Sequence, residues 1–193
     1  LTKKLAEIII QSKDKLSKCD TRFITVRFGN VLGSTGSVVP LFRRQLSEGG
    51  PLTVTDKNAT RFFMTIDEAV DLVVYASAEN VFNSSIPNGC INVLNMGASV
   101  KIDDLAKQII RLSGLVPGKD IKIKYIGLNK GEKLYEKLYE DLEEKVTKDT
   151  VGYFLVKSKK SNIINIDNIL INLEKLCNSE DDKIYDKLFK ILR

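Results

Sequence analysis

Apolar positions recur along this chain with two alternating periods. In residues 1–18, Leu5, Ile8, Ile9 and Leu16 fall three, four and seven apart, which is one face of a helix. From Arg22 to Phe28 the side chains instead alternate, and the run reads as a buried strand that ends at Gly29-Asn30. A turn over Gly33 to Ser37 leads to a helix from Val38 to about Glu48, stopped by Gly49-Gly50-Pro51, and then to a short strand, Leu52 to Thr55. Thr65 and Glu68 form a capping box that opens a third helix, with Ala69, Val70, Val73 and Val74 on its apolar face.

The alternation continues beyond it. Ile91 to Leu94 is a strand, and Ile102, Leu105, Ala106, Ile109 and Ile110 mark a helix that closes at Gly114. Ile121 to Ile126 is a strand, Gly131 to about Leu142 a helix, and Tyr153 to Val156 a strand, followed by two Lys-rich helices. Helix and strand taking turns in this way predict an α/β fold. No G-x-G-x-x-G turn or P-loop occurs, so a pyrophosphate cradle of either kind is not expected in this stretch.

Composition narrows the chemistry. There is no histidine, which removes Ser-His and Cys-His nucleophiles and leaves zinc without its commonest ligand. Cys19, Cys90 and Cys177 have no metal spacing and read as reduced cytosolic thiols. The net charge is +5, but 30 basic residues are interleaved with 25 acidic ones, the pattern of a solvated surface; nucleic acid is not an expected partner. No apolar run approaches the roughly 20 residues of a membrane span. The chain starts at Leu1, already within a helical pattern, and the expectation is a fragment of something longer.

Four segments resemble the extended short-chain dehydrogenase/reductases, in particular the CapD-like polysaccharide-biosynthesis branch that includes the UDP-N-acetylglucosamine 4,6-dehydratases. They are Thr2 to Glu7 (TKKLAE), Val26 to Phe42 (VRFGNVLGSTGSVVPLF), Gly50 to Thr65 (GPLTVTDKNATRFFMT) and Gly127 to Leu138 (GLNKGEKLYEKL). Val93 to Gly114 is similar as well, so the resemblance covers about residues 1–140. It implies the C-terminal part of an NAD(P)-binding Rossmann-type fold with its small substrate-binding domain. The expected division is residues 1–50 as the end of the Rossmann-type domain and the start of the substrate region, 51–146 as the nucleotide-sugar region, and 147–193 as a Lys-rich helical extension.

The resemblance also assigns roles. Lys3 matches the catalytic Lys that holds the nicotinamide ribose, with a Tyr or Met partner four residues upstream, on the same helix face. Lys3 and Phe28 would face the cofactor, NAD in preference to NADP. Arg61 would clamp the diphosphate with its planar donor fork, the plainer reading being a surface pair with Asp67 or Glu68. Asn30 would donate and accept across the strand end, and Val38, Val39 and Pro40, at a helix start whose free donors favour anions, would lie against the nucleotide. The backbone of Leu52, Thr53 and Val54 would contact uracil, and Glu132 would accept from the ribose hydroxyls. This chain departs from the pattern at Asn129-Lys130, where the branch carries Arg-Pro; Lys130 is the candidate replacement cation.

The activity implied is dehydration of a UDP-N-acetylhexosamine: oxidation at C4, loss of water across C5 and C6, and return of hydride to C6. A cytoplasmic site of action and a homo-oligomer are the accompanying expectations. Two other readings stay open: a UDP-sugar epimerase of the same superfamily, and a non-catalytic truncated product or binding module.

Overall fold

The computed structural model describes residues 2–18, 20–34, 36–146, 152–159 and 166–178. Fifteen elements follow in order: α1 (Thr2–Leu16), β1 (Thr25–Arg27), β2 (Asn30–Val31), α2 (Val38–Ser47), β3 (Leu52–Val54), β4 (Thr60–Arg61), β5 (Phe63–Met64), α3 (Ile66–Phe82), β6 (Ile91–Leu94), β7 (Val100–Lys101), α4 (Ile102–Leu112), β8 (Ile123–Tyr125), β9 (Glu143–Lys145), β10 (Tyr153–Ser158) and α5 (Ile166–Cys177). The alternation predicts the longer elements well. The two-residue strands escape it, because two positions cannot display a period.

The chain forms two units that interleave along the sequence, where the sequence reading divides it into consecutive segments. One contains residues 1–27, 75–93 and 141–193, and the other residues 28–74 and 94–140, with one division falling within α3.

In the first unit, the sheet runs in the order β1-β6-β10-β9. β1 lies parallel to β6 with Thr25 opposite Ile91, and β9 is antiparallel to β10. Ile91, Val93, Tyr153, Leu155 and Val156 are buried in its core. Two polar devices fix it. The buried Asn80 amide donates to Asn92 Oδ1 at 2.7 Å, and Asn92 Nδ2 reaches Thr25 O at 3.1 Å, so the amide chain satisfies itself in the interior. Arg27 spans Glu7 and Glu143 through four bonds of 2.8–2.9 Å, two to each, and Lys4 adds a third bond to Glu143 at 3.0 Å. Cys90 is a buried free thiol whose pKa burial pushes up, while Cys19 and the side chain of Cys177 lie outside the described residues.

The second unit holds the parallel pairs β2–β5 and β3–β8 and the antiparallel pair β4–β7. Its core joins Phe42 of α2, Leu52 and Val54 of β3, and Ile102, Ala106 and Ile110 of α4, with Ala59 and Ile121. α2 and α4 stop in the same way. Gly49 and Gly114 take φ near +80°, at 86° and 76°, and donate to Leu46 O and Arg111 O. The next residues, Gly50 and Leu115, reach back to Gln45 O and Ile110 O, which completes a Schellman end that a Cβ at either glycine would strain. The expected capping box is present: Glu68 accepts from the Thr65 N–H at 2.8 Å, and Thr65 Oγ1 accepts from the Glu68 N–H at 3.2 Å. On the face expected to be apolar, Ala69 is buried, whereas Val70 and Val74 remain 53% and 63% exposed.

One predicted element is absent. Residues 131–142 form no helix, because the Leu134 carbonyl is taken by the Thr60 N–H at 3.0 Å and by Arg61 Nη1 at 3.3 Å. A carbonyl engaged in that way is withdrawn from the ladder a helix would need. Of the two Lys-rich helices expected near the C-terminus, α5 is present and the other lies outside the described residues. No helix among the described residues is long and apolar enough to cross a membrane.

Breaking one side of a buried ion network leaves the other side uncompensated. Glu143→Ala is therefore expected to lower the unfolding free energy by about 3–5 kcal/mol, measured by urea denaturation followed by circular dichroism.

Candidate functional site

The second unit carries a cleft of about 500 Å³. Its wall is built from the start of β2, the first turn of α2, the end of β3, the β4 arginine and the segment after β8. Asn30, Val38, Thr53, Val54, Arg61 and Glu132 line it, so the structure gathers these candidates in one place. Val39 and Pro40 lie on α2 beside it without lining it, and Leu52 is fully buried in the core. Lys3 belongs to the first unit, exposed on α1; Phe28 follows β1 and is 39% exposed.

Each wall has a local cause. Asn30 is set by β2, its N–H donating to Phe62 O at 2.9 Å. The chain passes close there: a Cβ on Gly29 would lie 2.9 Å from Phe62 Cβ, so only glycine fits without a shift. Ser37 is the N-cap of α2, yet its hydroxyl makes no capping bond. The third helical position is Pro40, which has no N–H to offer it. The Ser37 Oγ atom is buried and has no partner among the described residues, beside the first-turn N–H groups of Val38 and Val39, which have no intrahelical acceptor. The free N–H groups of this turn are an arrangement suited to an anion.

The β3 backbone is already engaged. Leu52 N–H donates to Lys122 O at 3.0 Å, and Val54 O accepts from the Ile126 N–H at 3.0 Å. Gln45 serves Thr53 like a neighbouring peptide, accepting its N–H at 2.9 Å and donating to its Oγ1 at 2.6 Å.

Arg61 and Glu132 meet at 2.8 Å. Arg61 does not pair with Asp67 or Glu68; Glu68 is committed to the helix cap. Glu132 is saturated. Its Oε1 accepts from Thr55 Oγ1 at 2.9 Å and from Arg61, and its Oε2 from the Asn129 N–H at 3.1 Å and Asn129 Nδ2 at 3.0 Å. Burial pushes this carboxyl up, but the Asn129 and Thr55 hydrogen bonds and the Arg61 charge outweigh it and hold it below the usual carboxylate range. Lys130 does not line the cleft; its neighbour Asn129 does, as the anchor of Glu132.

Sequence reasoning missed Ser37 as a side chain, Thr55, Asn129 and Glu136. Thr55 had a signal, since the two-residue period of β3 puts it on the same side as Thr53. Glu136, which accepts from the Phe62 N–H and faces Arg61, sits in the misread segment, and nothing in the sequence pointed to it. No group of three or more His, Cys, Asp or Glu side chains able to hold a metal occurs among the described residues.

The chain belongs to the family described as polysaccharide biosynthesis protein, whose profile matches residues 1–158. It is 47% identical over 161 residues to the capsular polysaccharide biosynthesis protein CapD of Staphylococcus aureus, covering 80% of this chain and 26% of that protein. It is 36% identical over 157 residues to the UDP-glucose 4-epimerase of Rickettsia akari, covering 81% of this chain and 43% of that one. Among solved structures it resembles Pen from Bacillus thuringiensis, with a TM-score of 0.59 and 32% identity over 81% of this chain and 46% of that chain. The chain thus spans less than half the length of each. The α/β fold class, part of a Rossmann-type extended dehydrogenase/reductase, holds.

The sign of the Glu132 shift fixes a pH dependence. A carboxyl depressed in the folded state contributes stability that is complete above its unfolded value and is lost as pH falls through the depressed value. A carboxyl-carbon NMR titration is expected to give Glu132 a midpoint below that of an exposed Glu. Amide protection at Asn129 should fall along the same acid limb, and Glu132→Gln should abolish that dependence.

Proposed function

We propose that this chain is the sugar-nucleotide-binding part of a longer NAD-dependent enzyme, a UDP-N-acetylglucosamine 4,6-dehydratase of polysaccharide or glycan biosynthesis. The observation that carries this reading is the convergence, in one cleft, of a helix start with free N–H groups and the Arg61–Glu132 pair. A diphosphate suits the first turn of α2 with Ser37 Oγ and the planar fork of Arg61. Asn30 can both donate to a phosphate or sugar oxygen and accept from a hydroxyl. Glu132 would accept from ribose hydroxyls once a lone pair is released, and the Thr53 face of β3 borders the place for the base. A cleft of about 500 Å³ is within the usual range for a small-molecule ligand.

NAD, when bound, supplies the hydride acceptor and donor. On this chain Lys3 would hold the nicotinamide ribose. The exposed Lys3 makes no hydrogen bond or ion pair among the described residues, which leaves its ammonium available. Phe28 would offer an apolar surface at the strand end. No Gly-rich strand–turn–helix lies in the sequence, so these residues fit the fringe of a dinucleotide site, and the acid/base groups are assigned to the longer protein.

A second reading, a UDP-sugar epimerase, is favoured by the 36% identity to the Rickettsia akari enzyme. The longer protein, incubated with UDP-N-acetylglucosamine and followed by NMR, separates the two. Dehydration yields a C6 methyl group beside a C4 ketone, and a product that keeps its hydroxymethyl group rules it out. Arg61→Ala is expected to weaken UDP binding by about 2–4 kcal/mol, the cost of losing one member of a buried charge pair. Unchanged affinity by calorimetry removes Arg61 from the site.

A further inference from the structure

Arg61 presents five N–H donors in a rigid fork. Nη1 donates to Thr60 O at 2.8 Å and to Leu134 O at 3.3 Å. Nη2 donates to Glu132 Oε1 at 2.8 Å, and Nε faces Glu136 Oε1 at 3.6 Å. One Nη2 hydrogen is left over, whereas bidentate recognition of a phosphate takes two parallel N–H groups. With both Nη1 hydrogens committed to backbone carbonyls, a phosphate can take the Nε/Nη2 edge in full only in exchange for one of the two carboxylates.

The carboxylates are unequally held. Glu132 accepts four hydrogen bonds, from Thr55, Arg61 and twice from Asn129, which fills its lone pairs. Glu136 accepts one, from the Phe62 N–H at 3.3 Å, and its contact with Nε exceeds hydrogen-bond range. Its side chain is 30% exposed, against 22% for Glu132. A loose, part-exposed ion pair contributes little to stability, so Glu136 leaves at low cost. Remaining beside a diphosphate, it would repel it.

We propose that Glu136 is a placeholder anion, holding the Nε edge of Arg61 in position until the diphosphate of a nucleotide takes that edge and displaces it. The inference rests on the reading of the cleft as a nucleotide site. Glu136 is a positioning residue and touches no reacting atom. It keeps Arg61 extended along the cleft wall, at the expense of part of the binding energy.

Calorimetric titration of the 193-residue chain tests this, using UDP, inorganic pyrophosphate and uridine as probes against Glu136→Gln, Glu136→Ala and Arg61→Ala. Gln keeps an acceptor for the Phe62 N–H and removes only the charge; Ala removes both. Both Glu136 variants are expected to bind UDP and pyrophosphate about three- to tenfold more tightly, as removal of an opposing charge predicts, with uridine unchanged. Equal or weaker UDP binding in both variants, where the parent chain binds UDP through Arg61, overturns the exchange and leaves the cleft reading standing. A gain shared by uridine assigns the effect to a loosened segment and also overturns it. Failure of the parent chain to bind UDP, or binding indifferent to Arg61→Ala, removes the cleft reading and this proposal together.

Discussion

The carboxylate of Glu132 is the point on which the second unit's cleft depends. One side chain ties the turn at Asn129 to the β3 end through Thr55 and to the β4 arginine, joining two stretches some 70 positions apart in sequence. A charged group taken out of water must recover its hydration through such bonds, and each of these is charge-assisted. The same demand orders the segment after β8. Leu134 offers its carbonyl to Thr60 and Arg61 rather than to a helix, so an irregular stretch becomes a fixed wall. In the first unit Glu143 has a comparable place, gathering Arg27 and Lys4.

Much of this architecture was legible in the sequence because it follows short-range rules. The helices α2 and α4 were delimited by their apolar spacing and their terminal glycines, and β6 by four consecutive apolar or packed positions. The capping box of Thr65 and Glu68 needs only a spacing of three. Residues 131–142 were misread for the opposite reason. Their composition suits a helix, but what decides their conformation is an arginine some 70 positions earlier, and no local pattern carries that information.

The site was legible in part along the same line. Asn30, Arg61 and Glu132 came from resemblance, and the structure sets Arg61 directly against Glu132. The two-residue period of β3 sends the Leu52 side chain into the core and leaves Thr53 and Thr55 on the other side. Asn129, first noticed only as a departure from pattern, proves to be the residue that fixes the carboxylate. An arginine at that position would keep the backbone N–H bond and replace the side-chain amide with a longer cationic group. Lys3 and Phe28 have their surroundings beyond the cleft, and their assignment continues to rest on family resemblance.

Pro40 points outward and lines nothing, so by exposure alone it would be counted among the tolerant positions of α2. Its effect is subtractive. A residue with an N–H at the third helical position would offer the Ser37 hydroxyl a second donor for an ordinary cap. Proline removes one of the two N–H groups from which a capping hydroxyl accepts, the other being that of Val39, and the Ser37 hydroxyl makes no cap. The helix forgoes roughly 1 kcal/mol of capping as a result. In this way an exposed residue that lines no part of the cleft sets how many backbone donors its helix start carries.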